Sequence, residues 1–290
     1  MRRIVWAWAL VLAAGGGAVR GDESKAKPAA FDVTVALDVP YTGEADAGER
    51  HRLDVYMPKG RKDFPVFFFI HGGGWRNGAK DGFARHGLAF AKNGIGFVAI
   101  NYRLSPKVKH PEHIKDVARA FAWTVRNVGK YGGRPDAIFV GGHSAGGHLA
   151  ALLGTDESYL KAEKLSLKDV RGVVPISGVF DVGGNRMEAV FGDEEARKQA
   201  SPQTHVRAKL PPMLILYADK EMGALGKQAD AFGKALTGAK SDAVVKVIKD
   251  RNHGTIMARI AREDDPATKL IFEFIARNAG TKSTGAGGAR

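Results

Sequence analysis

Ser144 lies in the segment Gly142-His143-Ser144-Ala145-Gly146, whose residue types and spacing could perform nucleophilic chemistry. An apolar run at 137–140 precedes this segment, and a stretch typical of a helix follows it at 147–153. A serine on a sharp turn from strand to helix has a strained backbone, and flanking glycines keep such a turn free of clashes. The pattern therefore predicts a nucleophilic serine that projects clear of a sheet. A glycine-rich turn with a solvated serine is the alternative.

A nucleophilic serine needs a base, and the base needs an acid that orients it. In folds that use this kind of turn, the order along the chain is serine, acid, histidine. His253 is the only one of the nine histidines that follows residue 221, and it comes just after an apolar pattern that ends near Lys249. The order therefore predicts His253 as the base, in a loop after the last strand.

Two residues qualify as the acid, because Asp219 and Glu221 both follow the apolar pattern that ends at Tyr217. The usual spacing is a strand, a small residue, two free positions and then the acid. Counting from Ala218 leads to Glu221, which we take as the acid, with Asp219 as the alternative. We expect the other carboxylate to cap a turn or the following helix.

The segment His71-Gly72-Gly73-Gly74-Trp75 follows a continuous apolar run at 66–70. The tetrahedral intermediate of acyl transfer carries an oxyanion that needs preorganised backbone donors, and glycines let the main chain approach a substrate closely. We predict the N–H groups of Gly73 and Gly74 as donors, with Ala145 as the third. Trp75 either lines an acyl pocket or packs in the core.

Apolar strand patterns alternate with helical patterns along most of the chain, which predicts an α/β fold. We expect a mostly parallel central sheet with helices on both faces, in one domain at 35–278. An antiparallel pair at 31–39 and 52–57 begins it. The stretch 180–212 carries no strand pattern and is either a cap over the site or a surface excursion. A Gly- and Ser-rich tail at 279–290 is expected to be disordered.

Arg2 and Arg3 precede an apolar stretch at 4–12 and small residues at 13–18, a pattern typical of a secretory signal peptide. We therefore predict a signal peptide at 1–21, a flexible lead-in at 22–34 and a secreted or periplasmic location. An uncleaved anchor is the alternative. After cleavage, no stable membrane insertion is expected, because no other segment is long and apolar enough.

The formal net charge of +13 could indicate an anionic partner, but the basic residues are scattered among 290 residues without an arginine-rich run. We therefore expect no nucleic-acid partner. The absence of cysteine excludes a cysteine nucleophile and a thiolate metal site. His110 and His113, near Glu112, show no ligand pattern, so we expect neither a metal nor a cofactor.

Several segments together resemble serine esterases of the α/β-hydrolase fold. They are Arg52-Leu53-Asp54-Val55-Tyr56, residues 71–75, 101–106 and 142–151, and Ser177-Gly178. The nearest resemblance is to feruloyl and acetylxylan esterases of the BD-FAE type and to the hormone-sensitive-lipase-like carboxylesterases, over roughly residues 35–278. The resemblance implies hydrolysis of carboxylic esters, often acetyl or feruloyl groups on plant polysaccharide. Glu221 departs from the family pattern, in which aspartate is more usual.

The sequence thus predicts an exported serine carboxylesterase whose substrate is a small-molecule or polysaccharide-linked ester. An arylformamidase or a peptidase on the same scaffold is one alternative, because a fold does not dictate a function. A non-catalytic polysaccharide-binding module is another.

Overall fold

The computed structural model describes residues 30–43, 48–183 and 187–280. Within them, eight strands form one sheet with the order β1-β2-β4-β3-β5-β6-β7-β8, and every pair from β4 onward in that order is parallel. The pairs β1/β2 and β2/β4 are antiparallel. The strands are β1 (Val33–Pro40), β2 (Arg52–Pro58), β3 (Phe64–Ile70), β4 (Gly96–Ile100), β5 (Gly133–His143), β6 (Gly172–Ile176), β7 (Met213–Lys220) and β8 (Ala243–Asn252).

Helices connect the strands and cover both faces of the sheet, as the alternating pattern predicts. They are α1 (Ala84–Lys92), α2 (Glu112–Asn127), α3 (Ala145–Thr155), α4 (Ser158–Ala162), α5 (Glu188–Phe191), α6 (Glu194–Ala200), α7 (Leu225–Gly238), α8 (His253–Arg259) and α9 (Pro266–Asn278). The mostly parallel sheet between two helical layers confirms the predicted fold class.

The central strand β3 shows why its sequence is continuously apolar. Phe68 and Ile70 belong to the core cluster that includes Phe121 of α2, whereas Phe67 and Phe69 belong to a second cluster on the other face. Successive side chains of a strand point to opposite faces, so a strand covered on both sides must be apolar at every position.

The structure corrects four details of the sequence analysis. β1 begins at Val33, inside the segment 22–34 that was predicted to be flexible. β7 and β8 extend to Lys220 and Asn252, beyond their apolar patterns, because the two strands continue to pair there after an irregularity at Ala218. His253 therefore starts helix α8 and does not lie in a loop. Asp219 likewise lies on a strand.

The stretch 180–212 contains α5 and α6, and Gly172–Ile176 leads into it. The predicted signal peptide at 1–21, most of the lead-in and the tail from residue 281 lie outside the described residues. No helix among the described residues combines the length and apolar character needed to cross a bilayer.

Candidate active site

Ser144 occupies the turn between β5 and α3 with backbone angles φ 56° and ψ −118°. A non-glycine residue in this region is strained, by about 1–3 kcal/mol, and persists only where its surroundings impose it. The Ser144 N–H donates to the carbonyl of Ile176 at 2.9 Å, at the end of the neighbouring strand β6. The turn is therefore anchored to the sheet while the side chain remains partly exposed.

The glycines around Ser144 are required by close backbone contacts. A Cβ atom at Gly142 would lie 2.3 Å from the carbonyl oxygen of Gly146, and one at Gly146 would lie 2.1 Å from that of Ile70. A Cβ at Gly72 would lie 3.3 Å from the Cβ of Ser144. The glycine-rich loop after β3 therefore packs directly against the turn that carries the serine.

The structure brings His253 and Glu221 together. The Nδ1 atom of His253 lies 2.6 Å from Oε1 of Glu221, and their side chains are 17% and 5% exposed. Glu221 follows the end of β7 and His253 follows the end of β8, and these strands are parallel neighbours. A carboxylate at Nδ1 fixes the proton on that nitrogen and leaves Nε2 as a proton acceptor.

The environment of Glu221 favours its ionised form. Burial raises the pKa of this carboxyl, but hydrogen bonds from His253 and the Met222 N–H, together with the nearby Ser177 hydroxyl, outweigh it and lower the pKa to about 2. The Met222 N–H donates to Oε1 at 2.9 Å, and the Ala218 N–H donates to Oε2 at 3.3 Å. Glu221 is therefore a charged, firmly held partner for an imidazole.

Asp219 has a different environment. Its two carboxylate oxygens accept the N–H groups of Asp250 and Arg251, both at 3.0 Å, and these bonds lower its pKa. The carboxylate thus joins β7 to β8 where the strand pairing is irregular. The structure does not bring Asp219 to His253; it gives Asp219 a backbone-bridging role.

The remaining predicted residues lie on two segments beside Ser144. Gly73 and Gly74 are exposed, with φ values of +115° and +62°, and the Gly73 carbonyl accepts the N–H groups of Arg76 and Asn77. Ala145 is the first residue of α3, where helical N–H groups have no partner within the helix. The glycine-rich loop after β3 therefore offers exposed main chain beside the serine, whereas Ala145 is 1% exposed.

Trp75 packs in the interior and is 4% exposed. Its Nε1–H donates to Nδ1 of His148 at 3.2 Å, and Nε2 of His148 lies 2.7 Å from the carbonyl of Ala200 at the end of α6. Burial lowers the pKa of His148 to about 3, so the ring is neutral and its proton lies on Nε2. Phe191 of α5 contacts both rings. These two hydrogen bonds therefore link the glycine loop (residues 71–75) to α3 and to the 180–212 segment.

We expect Trp75→Phe to lower the free energy of unfolding by about 1–3 kcal/mol, because the buried Nδ1 of His148 loses its donor. Urea unfolding measures this cost. In a His148→Leu background the cost should fall by about 1 kcal/mol, because no acceptor then remains unsatisfied. Equal costs in the two backgrounds would show that the hydrogen bond contributes nothing.

Two residues of the site had no role in the sequence analysis. Among the described residues, the buried Ser177 hydroxyl, just after the end of β6, has no partner in full hydrogen-bond geometry, yet its proximity lowers the pKa of Glu221. A polar residue ending an apolar strand beside the acid-bearing strand is the signal that could have found it. His143 contacts the backbone of His253, 110 residues away, and no local pattern could indicate such a contact.

The family of this chain follows from a family model that matches residues 53–236, which is more than half of the sequence. The chain belongs to the BD-FAE family. The match contains the glycine loop, Ser144 and both candidate acids, and it ends before His253.

Curated relatives of this BD-FAE chain include hydrolases of two kinds. The probable carboxylic ester hydrolase LipM of Mycobacterium tuberculosis is 33% identical over 239 residues, which is 72% of this chain and 54% of LipM. The kynurenine formamidase of Danio rerio is 26% identical over 253 residues, covering 83% of this chain and 82% of that protein. The chain spans about half the length of the mycobacterial relatives it matches.

Solved structures confirm the α/β-hydrolase fold of this BD-FAE chain. A truncated carbohydrate esterase from gut microbiota superimposes with a TM-score of 0.74 at 23% identity, covering 87% of this chain and 98% of that one. Esterase B from Lactobacillus rhamnosis gives a TM-score of 0.72 at 20% identity, with 86% of each chain covered.

Proposed function

We propose that this chain is an exported serine carboxylic ester hydrolase that uses Ser144, His253 and Glu221 as a catalytic triad. The observation that carries the proposal is the 2.6 Å contact between His253 Nδ1 and Glu221, at strand ends beside the strained turn of Ser144. Membership of the BD-FAE family and the mycobacterial ester hydrolase relatives support the reaction class. The signal-peptide pattern at 1–21 supports export.

In the proposed reaction, Ser144 Oγ attacks the ester carbonyl carbon while His253 Nε2 accepts the hydroxyl proton. Glu221 holds the Nδ1–H and stabilises the imidazolium that forms. The N–H groups of Gly73, Gly74 and Ala145 donate to the oxyanion. His253 then gives its proton to the departing alkoxide. Water, activated by the same imidazole, releases the acid from the acyl-enzyme and restores Ser144.

The family resemblance supports short acyl or feruloyl groups as the acid part of the substrate, and export supports a polysaccharide-linked ester as its source. A panel of p-nitrophenyl acetate, p-nitrophenyl octanoate, methyl ferulate and acetylated xylan tests both. We expect turnover of the acetyl and feruloyl esters at higher kcat/KM than that of the octanoate. Turnover of the octanoate alone would contradict this substrate class.

Arylformamide hydrolysis is the second candidate, because kynurenine formamidase relatives align over most of their own length. The same serine would attack a formamide carbonyl, and His253 would protonate the departing arylamine. Adding an N-formyl arylamide to the panel distinguishes the two candidates. Faster turnover of this amide than of every ester would favour the formamidase. An inert protein that binds xylan would favour the binding module.

A further inference from the structure

We propose that His143 is a positioning residue that holds His253 in place for proton transfer with Ser144. The proposal rests on the proposed function, because it concerns the same reaction and the same site. His143 is the last residue of β5 and immediately precedes Ser144. A single residue therefore connects the element that carries the nucleophile with the element that carries the base.

The contact between the two histidines is direct. His143 Nε2 lies 2.8 Å from the backbone carbonyl oxygen of His253, and the two imidazole rings have centroids 4.7 Å apart. A carbonyl oxygen can only accept a hydrogen bond, so Nε2 of His143 carries the proton and donates it. The bond fixes the main chain of His253 itself, next to the Cα from which the catalytic imidazole projects.

His143 is also neutral, as a hydrogen-bond donor beside the imidazole of His253 should be. Burial lowers its pKa to about 4, and the neighbouring His253 contributes in the same direction. The ring is therefore neutral near pH 7 and donates without carrying a charge. When His253 becomes an imidazolium during catalysis, a second cation 4.7 Å away would repel it, and a neutral donor does not.

Glu221 holds the imidazole of His253, and the other supports of this segment act on the residues that follow it. Asn252 caps α8 by accepting the N–H groups of Gly254 and Thr255, which lie after His253. His86 Nε2 lies 3.1 Å from the carbonyl of Met257, one helical turn further along. Thus the partly buried His143 and the buried His86 both bind carbonyls of the same helix, and of the two His143 does so at the catalytic residue.

The paired contacts supply a matched control. His86 is 5% exposed and has the same partner chemistry as His143, so its loss tests the anchoring of α8 alone. The amide nitrogen of a glutamine can occupy the place of Nε2, whereas the shorter side chain of asparagine cannot reach it. Comparing His143→Gln with His143→Asn therefore distinguishes the effect of the hydrogen bond to His253 from the effect of having any polar side chain at position 143.

The experiment measures kcat and KM for p-nitrophenyl acetate, together with urea unfolding, for wild type, His143→Gln, His143→Asn and His86→Leu. Misplacement of a catalytic group by about 1 Å costs about 10²-fold in rate. We expect His143→Asn to lower kcat by about that factor with KM changed by less than about threefold. His143→Gln should retain most of kcat, and His86→Leu should lower stability with little effect on kcat.

A kcat of His143→Asn equal to that of wild type would overturn the proposal. So would a loss in His86→Leu as large as that in His143→Asn, since the role would then be general anchoring of α8. Equal losses in the Gln and Asn variants would also overturn it. If wild-type turnover did not depend on Ser144, the proposed function itself would fail. Ser144-dependent turnover with an unaffected His143→Asn variant would refute only the role of His143.

Discussion

Replacing Ser144 with alanine should lower kcat for ester hydrolysis by about 10⁴-fold or more, because the acyl-enzyme cannot form without the nucleophile. The exposed glycine loop and the first turn of α3 would remain, so slow residual hydrolysis by water is expected. Steady-state turnover of p-nitrophenyl acetate measures the effect. Retention of more than about a tenth of wild-type kcat in a purified variant would exclude the proposed mechanism.

The backbone strain at Ser144 gives a second prediction, in which a substitution raises stability while it removes activity. Glycine adopts positive φ without the clash of a Cβ atom, so Ser144→Gly should raise the free energy of unfolding by about 1 kcal/mol while abolishing turnover. Alanine keeps the Cβ atom and is the matched control, with no gain expected from relief of strain. Urea unfolding of both variants decides the matter. Equal stabilities of the two variants would show that the turn stores no strain.

Replacing Glu221 with glutamine should lower kcat by about 10³–10⁴-fold, as expected when an imidazole loses the carboxylate that orients it and stabilises its charged form. Asp219→Asn is the matched control, because it makes the same chemical change two residues away. Its carboxylate bridges Asp250 and Arg251, so we expect reduced stability and a kcat within about threefold of wild type. A larger loss in Asp219→Asn than in Glu221→Gln would transfer the acid role to Asp219.

The stability difference between wild type and Glu221→Gln has a pH dependence whose sign follows from the environment of Glu221. Its pKa of about 2 lies below the ordinary 4.5, so the folded state favours the ionised form. The contribution of this carboxylate to stability is therefore complete above pH 4.5 and is lost as pH falls through 2. We expect the stability difference between wild type and Glu221→Gln to shrink over this interval. A difference that does not change with pH would show that the carboxylate is not stabilised by its neighbours.

The fold and the strained turn at Ser144 could be predicted from sequence because both depend on local patterns. The strand run before Ser144 and the glycines around it are contiguous in the chain, and steric exclusion by a Cβ atom acts over the same few residues. Chain order alone led to His253 as the proposed base. Its element was predicted wrongly because β8 continues through Lys249, Asp250 and Arg251, whose polar side chains conceal the end of the strand.

The choice between the two acids shows what a linear pattern leaves open. Asp219 and Glu221 are two residues apart and have the same charge, so spacing ranks them without placing either beside His253. The pairing of β7 with β8 directs Asp219 to backbone N–H groups of β8, and Glu221, beyond the strand end, reaches the imidazole. The sequence also left open whether Trp75 lines an acyl pocket or packs in the core, and its burial against His148 and Phe191 shows that it packs in the core.

The sequence by itself determined the strained turn at Ser144, the glycine loop that faces it and the order in which the proposed acid and base follow along the chain. These features arise from sterics and hydrophobic periodicity over short stretches of chain. Only the tertiary structure selected Glu221 as the partner of His253 and brought His143 to its carbonyl. Each of these contacts joins strand ends that are 32 or 110 residues apart, so its 2.6 or 2.8 Å separation depends on how the whole sheet packs.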